Sequence, residues 1–454
     1  MMLRTKTFHI EIWGCQMNVA DAAAAARRLE SLGMSEVPDP ADADLVLLET
    51  CCVREKPEHK IYSRLGELRP LKEERPGMLL GVCGCMAQKE GRAIIRRAPY
   101  VDLVIGPRRL SRLPEILEAL ELTGKPQIEV VMDGEPEEIG EQDFTRYRRQ
   151  GAVKAFVNII EGCNYHCSYC IVPAVRGAFT SRQPEAVIDE VRQLVDAGIR
   201  EVNLLGQSVL AYGRDRNRAF DIIDLFARLH DVAGLQRIRF TTNHPLEMNE
   251  RIIMAMAEMP RVMEHAHMPI QAGDDRLLKA MKRGYTVARY EALVAEMRER
   301  IPGLSITGDV IVGFPGETEE IFRSCVETYR RLRLDQQFLF VYSARPGTTA
   351  AELPDQLTQA TKVERMNELV ALQNSISTAR NREQLGTVFE VMVEGPSERD
   401  AGKLSGRARN NKALVFTVPD GLTPHPGDIV TVVAESAHLW GFSGRMVGGP
   451  NDRI

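Results

Sequence analysis

The chain has 454 residues, of which 44% are hydrophobic and 27% charged, and its formal net charge is −5. That length allows two or three domains with a sizeable core, and the acidic balance confines any nucleic-acid contact to local patches. No apolar run reaches the roughly 18–20 residues of a membrane span, and Met1 to Ile10 lack the apolar core of a secretory signal. Nine cysteines without such a signal predict a reducing, cytoplasmic setting and thiols used for metal or chemistry rather than disulfides.

Phe8 to Trp13 alternates as a half-buried strand does, and the Ala-rich run Ala20 to Leu32, stopped by Gly33, reads as a helix. Leu45–Leu48, Met78–Val82 and Val101–Gly106 are continuous apolar runs, as in parallel strands covered on both faces. The alternation predicts a doubly wound α/β domain over residues 6–122. Cys15, Cys51 and Cys85 each follow one of its first three strands, and open α/β sheets bind ligands beyond the carboxyl ends of their strands. The three thiols are therefore read as one cluster site, against the alternative that each is a small buried apolar residue. Cys52 and Cys83 are read as packing residues and Cys325 as core. Asp133 to Asp143 carries six acids and no base, which predicts a solvated linker.

Strand candidates follow at 154–161, 201–206, 236–242, 264–270, 305–314 and 336–343, separated by helical periodicity such as Pro184–Ala197 and Tyr290–Arg300. Six such units predict right-handed crossovers and a parallel sheet curved into an open barrel over residues 149–380. Behind the first strand stands Gly162-Cys163-Asn164-Tyr165-His166-Cys167-Ser168-Tyr169-Cys170, three thiols with the spacing CxxxCxxC. Thiolates favour iron–sulfur clusters and zinc. Three of them suggest a cluster with one iron open to a small molecule; zinc with His166 as fourth ligand is the alternative. Gly206, Gln207, Gln271, Gly313 and Phe314 lie at other strand ends, on the face where such barrels keep their chemistry, and are the expected cofactor contacts. Arg176 and Arg182 read equally as contacts for a substrate phosphate or as solvated surface.

Pro354 to Gln384 reads as a helical connector. Beyond it Val388–Val393, Ala413–Val418, Asp428–Ala434 and Gly441–Val447 predict a small antiparallel barrel over residues 382–449, of a kind that often binds nucleic acid. Between Arg399 and Lys412 five bases (Arg399, Lys403, Arg407, Arg409, Lys412) stand against one acid, Asp400, and read as an RNA-contacting loop.

Gly14-Cys15-Gln16-Met17-Asn18, Glu49-Thr50-Cys51, Gly84-Cys85-Met86-Ala87, the CxxxCxxC loop with Ile171-Val172-Pro173, and Val310 to Thr318 together resemble the motifs of one family. It is the MiaB-type tRNA methylthiotransferases, members of the radical S-adenosylmethionine (SAM) superfamily. Ser405 to Lys412 is similar to part of the TRAM domain that ends such chains. The resemblance runs from about residue 6 to 449. It implies two 4Fe-4S clusters, one on Cys163, Cys167 and Cys170, the other on Cys15, Cys51 and Cys85, with SAM as radical source and methyl donor. The implied reaction is methylthiolation at C2 of N6-isopentenyladenosine beside the tRNA anticodon. Gln16-Met17-Asn18 favours that substrate over threonylcarbamoyladenosine or a ribosomal protein. The resemblance assigns chemistry to the clusters and to no other side chain; it implies a monomer served by a flavodoxin-type electron donor. Ser208 and Leu210, Asn243, and Ala272 with Asp274 depart from the family pattern. The rival from another class is a non-catalytic iron–sulfur RNA-binding protein.

Overall fold

A computed structural model describes residues 6–52, 55–132 and 151–450, so the acidic stretch Asp133 to Asp143 lies outside the described residues. The first module is a parallel sheet of six strands, β1 (Thr7–Trp13), β2 (Ser35–Glu36), β3 (Leu45–Thr50), β4 (Leu79–Gly84), β5 (Leu103–Ile105) and β6 (Gln127–Glu129). Its order is β2-β1-β3-β4-β5-β6. The apolar run in β3 is continuous because both faces are covered. Leu45 and Leu47 join Leu29, Leu113 and Leu117 in one cluster, while Val46 and Leu48 join Ile61, Leu65 and Ile94 in another. The two edge strands are too short to leave a periodic trace, and β6 carries this sheet past the boundary at residue 122.

The second module holds β7 (Lys154–Asn158), β8 (Ile160–Glu161), β9 (Thr180–Ser181), β10 (Glu201–Leu205), β11 (Arg237–Phe240), β12 (His265–His267), β13 (Ser305–Val312) and β14 (Gln336–Val341). The expected strand 154–161 breaks at Ile159, because Ile160 and Glu161 turn away to pair antiparallel with β9. The six parallel strands form two sheets, β11-β10-β7 and β12-β13-β14. They meet where Ile238 pairs with Val262 just ahead of β12, giving an open barrel whose free edges are β7 and β14. Helix Gln359–Arg382 is more than the expected connector. It lays Leu369 into the barrel core, with Met366 and Leu372 packed against it.

The last module closes β15 (Val388–Ser397), β16 (Asp400–Ala408), β17 (Ala413–Thr417), β18 (Ile429–His438) and β19 (Gly441–Gly448) into a barrel of order β15-β16-β17-β19-β18. All its pairings are antiparallel except β17 with β19. The basic segment expected as a loop is largely strand β16. Its period is two: Gly406 and Ala408 are buried, while Lys403, Arg407 and Arg409 alternate with them on the outer face. At Gly406 a Cβ would lie 2.3 Å from Met392 O, so only glycine lets these strands close.

Candidate active site

A glycine stands before the first cysteine of the loop and before two of the strand-end cysteines, and each is fixed by close approach. A Cβ at Gly14 would lie 2.1 Å from Asn18 Oδ1, at Gly84 2.3 Å from Glu49 Oε1, and at Gly162 2.2 Å from Ala178 O. Gly84 and Gly162 also have φ of +90° and +81°, a region that glycine adopts without strain.

Cys15 caps helix Gln16–Ser31 in a reciprocal box with Asn18. Its backbone N–H donates to Asn18 Oδ1 at 3.0 Å and its thiol to the same oxygen at 3.3 Å. Asn18 Nδ2 in turn donates to Glu49 Oε1 (2.8 Å) and Thr50 O (3.1 Å), joining the ends of β1 and β3 beside Cys51. From the other module Arg176 Nε reaches Cys85 Sγ at 3.2 Å, while its remaining nitrogens bind Asp21 (2.5 Å) and Glu161 (3.2 Å). Arg176 is only 2% exposed. It is neither solvated surface nor open to a phosphate, and neither is buried Arg182, which binds Glu190 and Asn158 O, both at 2.7 Å. A hydrogen bond from the Cys51 thiol is the main force lowering Cys15 to about 6, with Arg176 and the N–H groups of Asn18 and Met17 adding to it. The Cys85 thiol is lowered first by Cys52 and then by Arg176. Cys52 is fully buried in the cluster with Val46 and Leu48, as its packing reading expects, and it lies beside Cys85 there. Burial and Asp21 push the carboxyl of Glu49 well above its usual range.

Cys163, Cys167 and Cys170 are half-buried. Their loop is pinned by Cys163 N to Gly177 O (3.0 Å), Cys170 N to Cys167 O (3.0 Å) and Ser168 N to Met281 O (3.1 Å). Gln207 takes part: its Oε1 accepts from Gly162 N at 2.6 Å, so this side chain orients the loop. Buried Arg283 donates to Cys167 Sγ (3.2 Å), Pro269 O (2.9 Å) and Tyr285 Oη (3.0 Å). Tyr165 stacks on His244 with centroids 3.8 Å apart, and burial with Arg283 holds His244 down at about 2, hence neutral. Burial pushes the Cys163 and Cys170 thiols up to about 12. Such thiols ionise when a metal compensates them, and three soft donors with compressed backbone behind them fit an iron–sulfur cluster. Among the described residues no three His, Cys, Asp or Glu close on one point as ligands of a single ion do.

Of the other expected cofactor contacts, Gln271 is held at φ +71° with its backbone bridged to β13, a strained conformation of the sort functional sites retain. Gly206 abuts Ile160 and Gly313 abuts Lys362, with hypothetical Cβ contacts of 2.2 and 2.5 Å. Phe314 is fully buried edge-on against Tyr342. These three can meet a ligand through backbone alone.

The five bases separate. Lys412 is buried on Asp335 (3.1 Å) and Asn381 (2.8 Å), and Arg409 binds Glu264 (2.6 Å), both across the junction with the second module. They dock the barrel, with Lys412 buried and Arg409 half-buried at the junction. Arg407 pairs with Glu394 (3.5 Å) and Lys403 with Asp400 (3.0 Å), while Arg399 is exposed at the hairpin tip. Sequence reading missed Arg283 and gave Asn18 and Glu49 no role beyond their motifs; for Asn18 the capping-box position three residues after Cys15 was an available signal.

An open parallel barrel with CxxxCxxC after its first strand defines a radical SAM enzyme, and residues 157–328 match the radical SAM superfamily. Residues 7–106 match the uncharacterized protein family UPF0004. The chain is 45% identical to the tRNA-2-methylthio-N(6)-dimethylallyladenosine synthase of Moorella thermoacetica, over 99% of this chain and 100% of that one. It is 42% identical to that of Pelotomaculum thermopropionicum (96% and 97%) and 41% to that of Burkholderia cenocepacia (98% and 97%). The chain belongs to the family of these synthases. In fold it is similar to the radical SAM methyltransferase TsrM of Kitasatospora setae, with TM-score 0.53 and 17% identity over 76% of this chain and 75% of that one. Among the described residues no helix is long and apolar enough to cross a membrane.

Proposed function

We propose that the chain attaches a methylthio group to C2 of N6-isopentenyladenosine beside the anticodon of tRNA, the modification that its relatives' names describe. Arg176 carries the reading. It ends the short helix Val172–Arg176 directly behind the CxxxCxxC loop and touches Cys85 of the other set, so two three-thiol sets are neighbours. Cys163, Cys167 and Cys170 would hold one 4Fe-4S cluster, and Cys15, Cys51 and Cys85 the other. When bound, the clusters and SAM supply the radical that removes a C2 hydrogen too inert for acid–base chemistry, and the sulfur and methyl that replace it.

The chain's own residues bind and orient. Gln207 fixes the turn into the loop, and Arg176 and Arg283 each set a positive charge against one thiol. Gly206, Gln207, Gln271, Gly313 and Phe314 border the place proposed for SAM, with backbone as the contact at three of them. Neutral His244 and Tyr165 wall the loop against water. Arg399, Lys403 and Arg407, the more exposed of the five bases, are the phosphate contacts of the last barrel. The proposal retains the divisions 149–380 and 382–449, extends the first from 6–122 to take in β6, and keeps a cytoplasmic monomer and a flavodoxin-type electron donor. The test is to give reduced enzyme SAM, sulfide and tRNA bearing the isopentenyl group. Cys85→Ala should keep SAM cleavage and lose the methylthio product, and Cys167→Ala should lose both. Full product from either variant refutes the proposal.

A further inference from the structure

The cysteine loop reaches solvent at Asn164 and His166, which are exposed, and it rests on the turn that follows β12. Ser168 donates from Oγ to Ala280 O at 2.8 Å and from its backbone N–H to Met281 O at 3.1 Å. Arg283 of the same turn reaches Cys167 Sγ. Between these contacts stands Lys282, exposed and held at φ +56°. Helix Asp275–Ala280 ends there in a Schellman turn: Arg283 N–H donates to Leu278 O (2.9 Å) and Lys282 N–H to Lys279 O (3.0 Å). Glycine is the usual residue at this left-handed position. Here the strained backbone carries a lysine to the surface, one residue from the arginine that touches a loop thiol.

Lys279 is exposed as well, and neither lysine forms an ion pair among the described residues. The turns after β10 and β11 extend the charge. Arg214 and Arg218 have side chains 41% and 48% exposed and share one buried carboxylate, Glu247, which also accepts from Tyr165 Oη of the cysteine loop. The acids of this face, Asp215 and Asp275, accept from the backbone N–H groups of Ser181 (2.8 Å) and Val287 (2.7 Å). Leu246, 49% exposed, lies between the two groups of cations, where a Cβ on Gly284 would come within 3.2 Å of it. An apolar side chain ringed by charge is the anatomy of a protein interface, whereas a phosphate backbone has no use for it. The face is cationic on a chain whose net charge is −5.

Its place in the barrel separates it from the RNA-contacting module. Strands β11 and β12 are the middle pair of the six, opposite the free edges β7 and β14. The last barrel docks at the other ends of these strands, with Arg409 on Glu264 ahead of β12 and Lys412 on Asp335 ahead of β14. We propose that the face formed by Lys279, Lys282, Arg214, Arg218 and Leu246 docks a small acidic protein that carries single electrons. The inference rests on the proposed function, whose radical step consumes an electron from outside the chain, and adds where that electron enters. At each encounter one electron leaves the donor and is taken up at the set of Cys163, Cys167 and Cys170, with no bond made or broken. The cations steer the acidic partner into place, and Leu246 is its apolar contact.

The test uses holoenzyme and an acidic flavodoxin under anaerobic conditions, oxidised for binding by calorimetry and reduced for turnover. Lys279→Glu combined with Lys282→Glu should weaken flavodoxin binding about tenfold at low salt and flatten its salt dependence. Lys282→Gly should also weaken binding while the melting temperature holds, because glycine accepts the left-handed turn. SAM cleavage driven by reduced flavodoxin should fall in step with binding. Cleavage driven by excess dithionite, and affinity for the tRNA stem-loop, should stay at the parent's level. Flavodoxin affinity within twofold of the parent in the double variant would overturn the assignment. So would weakened stem-loop binding with flavodoxin binding unaltered, which would make the face an RNA surface. If the double variant loses the flavodoxin while the dithionite-reduced parent forms no methylthio product, the docking face stands and the proposed function falls. Product under dithionite with flavodoxin affinity unchanged in the variant means the reverse.

Discussion

Arg176 and Arg283 occupy matching positions: each is a buried guanidinium 3.2 Å from one thiol of a three-cysteine set. Hydrogen bonds and positive charge at a ligating sulfur favour the reduced cluster. Arg176→Gln should therefore lower the reduction potential of the cluster on Cys15, Cys51 and Cys85, and Arg283→Gln that of the other, each leaving its counterpart in place. Redox titration followed by electron paramagnetic resonance reads both, and potentials unmoved in either variant would reduce these arginines to packing. Reconstituted protein should hold about eight irons, and replacing either cysteine triplet with Ala should leave about four, by iron assay. The loop cysteines were legible because their spacing is local, and the strand-end set because each thiol follows an apolar run. The arginines were not. Arg283 meets Cys167 across 116 residues and Arg176 meets Cys85 across 91, pairings that only the packed modules create.

At the level of elements, strands set in an apolar or alternating run were readable, and the two edge strands of the first sheet were not. The six central strands and the four apolar ones of the last barrel follow alternation or continuous burial; β2 and β6 have two and three residues and no period. Strand β16 was masked by its charge, since an outer face of Lys403, Arg407 and Arg409 looks like a loop until the small inner residues are seen to alternate with them. Burial works against ionisation of Asp335, but Lys412 and Arg380 hold its carboxyl below the usual range. This pair is a fastening between barrels. Lys412→Ala strips Asp335 of its closest charge, and breaking a buried pair costs about 3–5 kcal/mol. Calorimetry should show a lower melting temperature, and proteolysis should release the last barrel earlier; an unchanged Tm would mean that the fastening lies elsewhere. His265, on β12, adds a pH dependence. Burial, with Arg239, His267 and Arg407 facing it and Asp335 opposing, lowers it to about 3. Between that value and about 6.5 the unfolded chain binds a proton the folded one does not, so stability falls as pH drops through the window, by up to about 1.4 kcal/mol per unit. His265→Gln should flatten the loss of urea stability between pH 7 and 5, and an identical slope in the variant would place the titration in other groups.

For the whole molecule, the arrangement explains why one chain carries two thiol sets. The first sheet sets Cys15, Cys51 and Cys85 at its strand ends, and the barrel's cysteine loop is anchored beside them through Arg176. The last barrel closes one side of a cavity of about 430 Å³ lined by all six strands of the central barrel. An isopentenyl group is recognised by burial and shape alone, worth about 0.8 kcal/mol per CH₂. A threonylcarbamoyl group brings a carboxylate that needs a charged partner, and leaving it unpaired in a closed site costs several kcal/mol. The direct measurement is a competition in one anaerobic reaction. Reduced enzyme, SAM and sulfide receive equal amounts of isopentenyladenosine tRNA, threonylcarbamoyladenosine tRNA and ribosomal protein, with products resolved by mass spectrometry. The methylthio group should appear at C2 of isopentenyladenosine and nowhere else. Its appearance on threonylcarbamoyladenosine or on the protein, with isopentenyladenosine unchanged, would contradict the account.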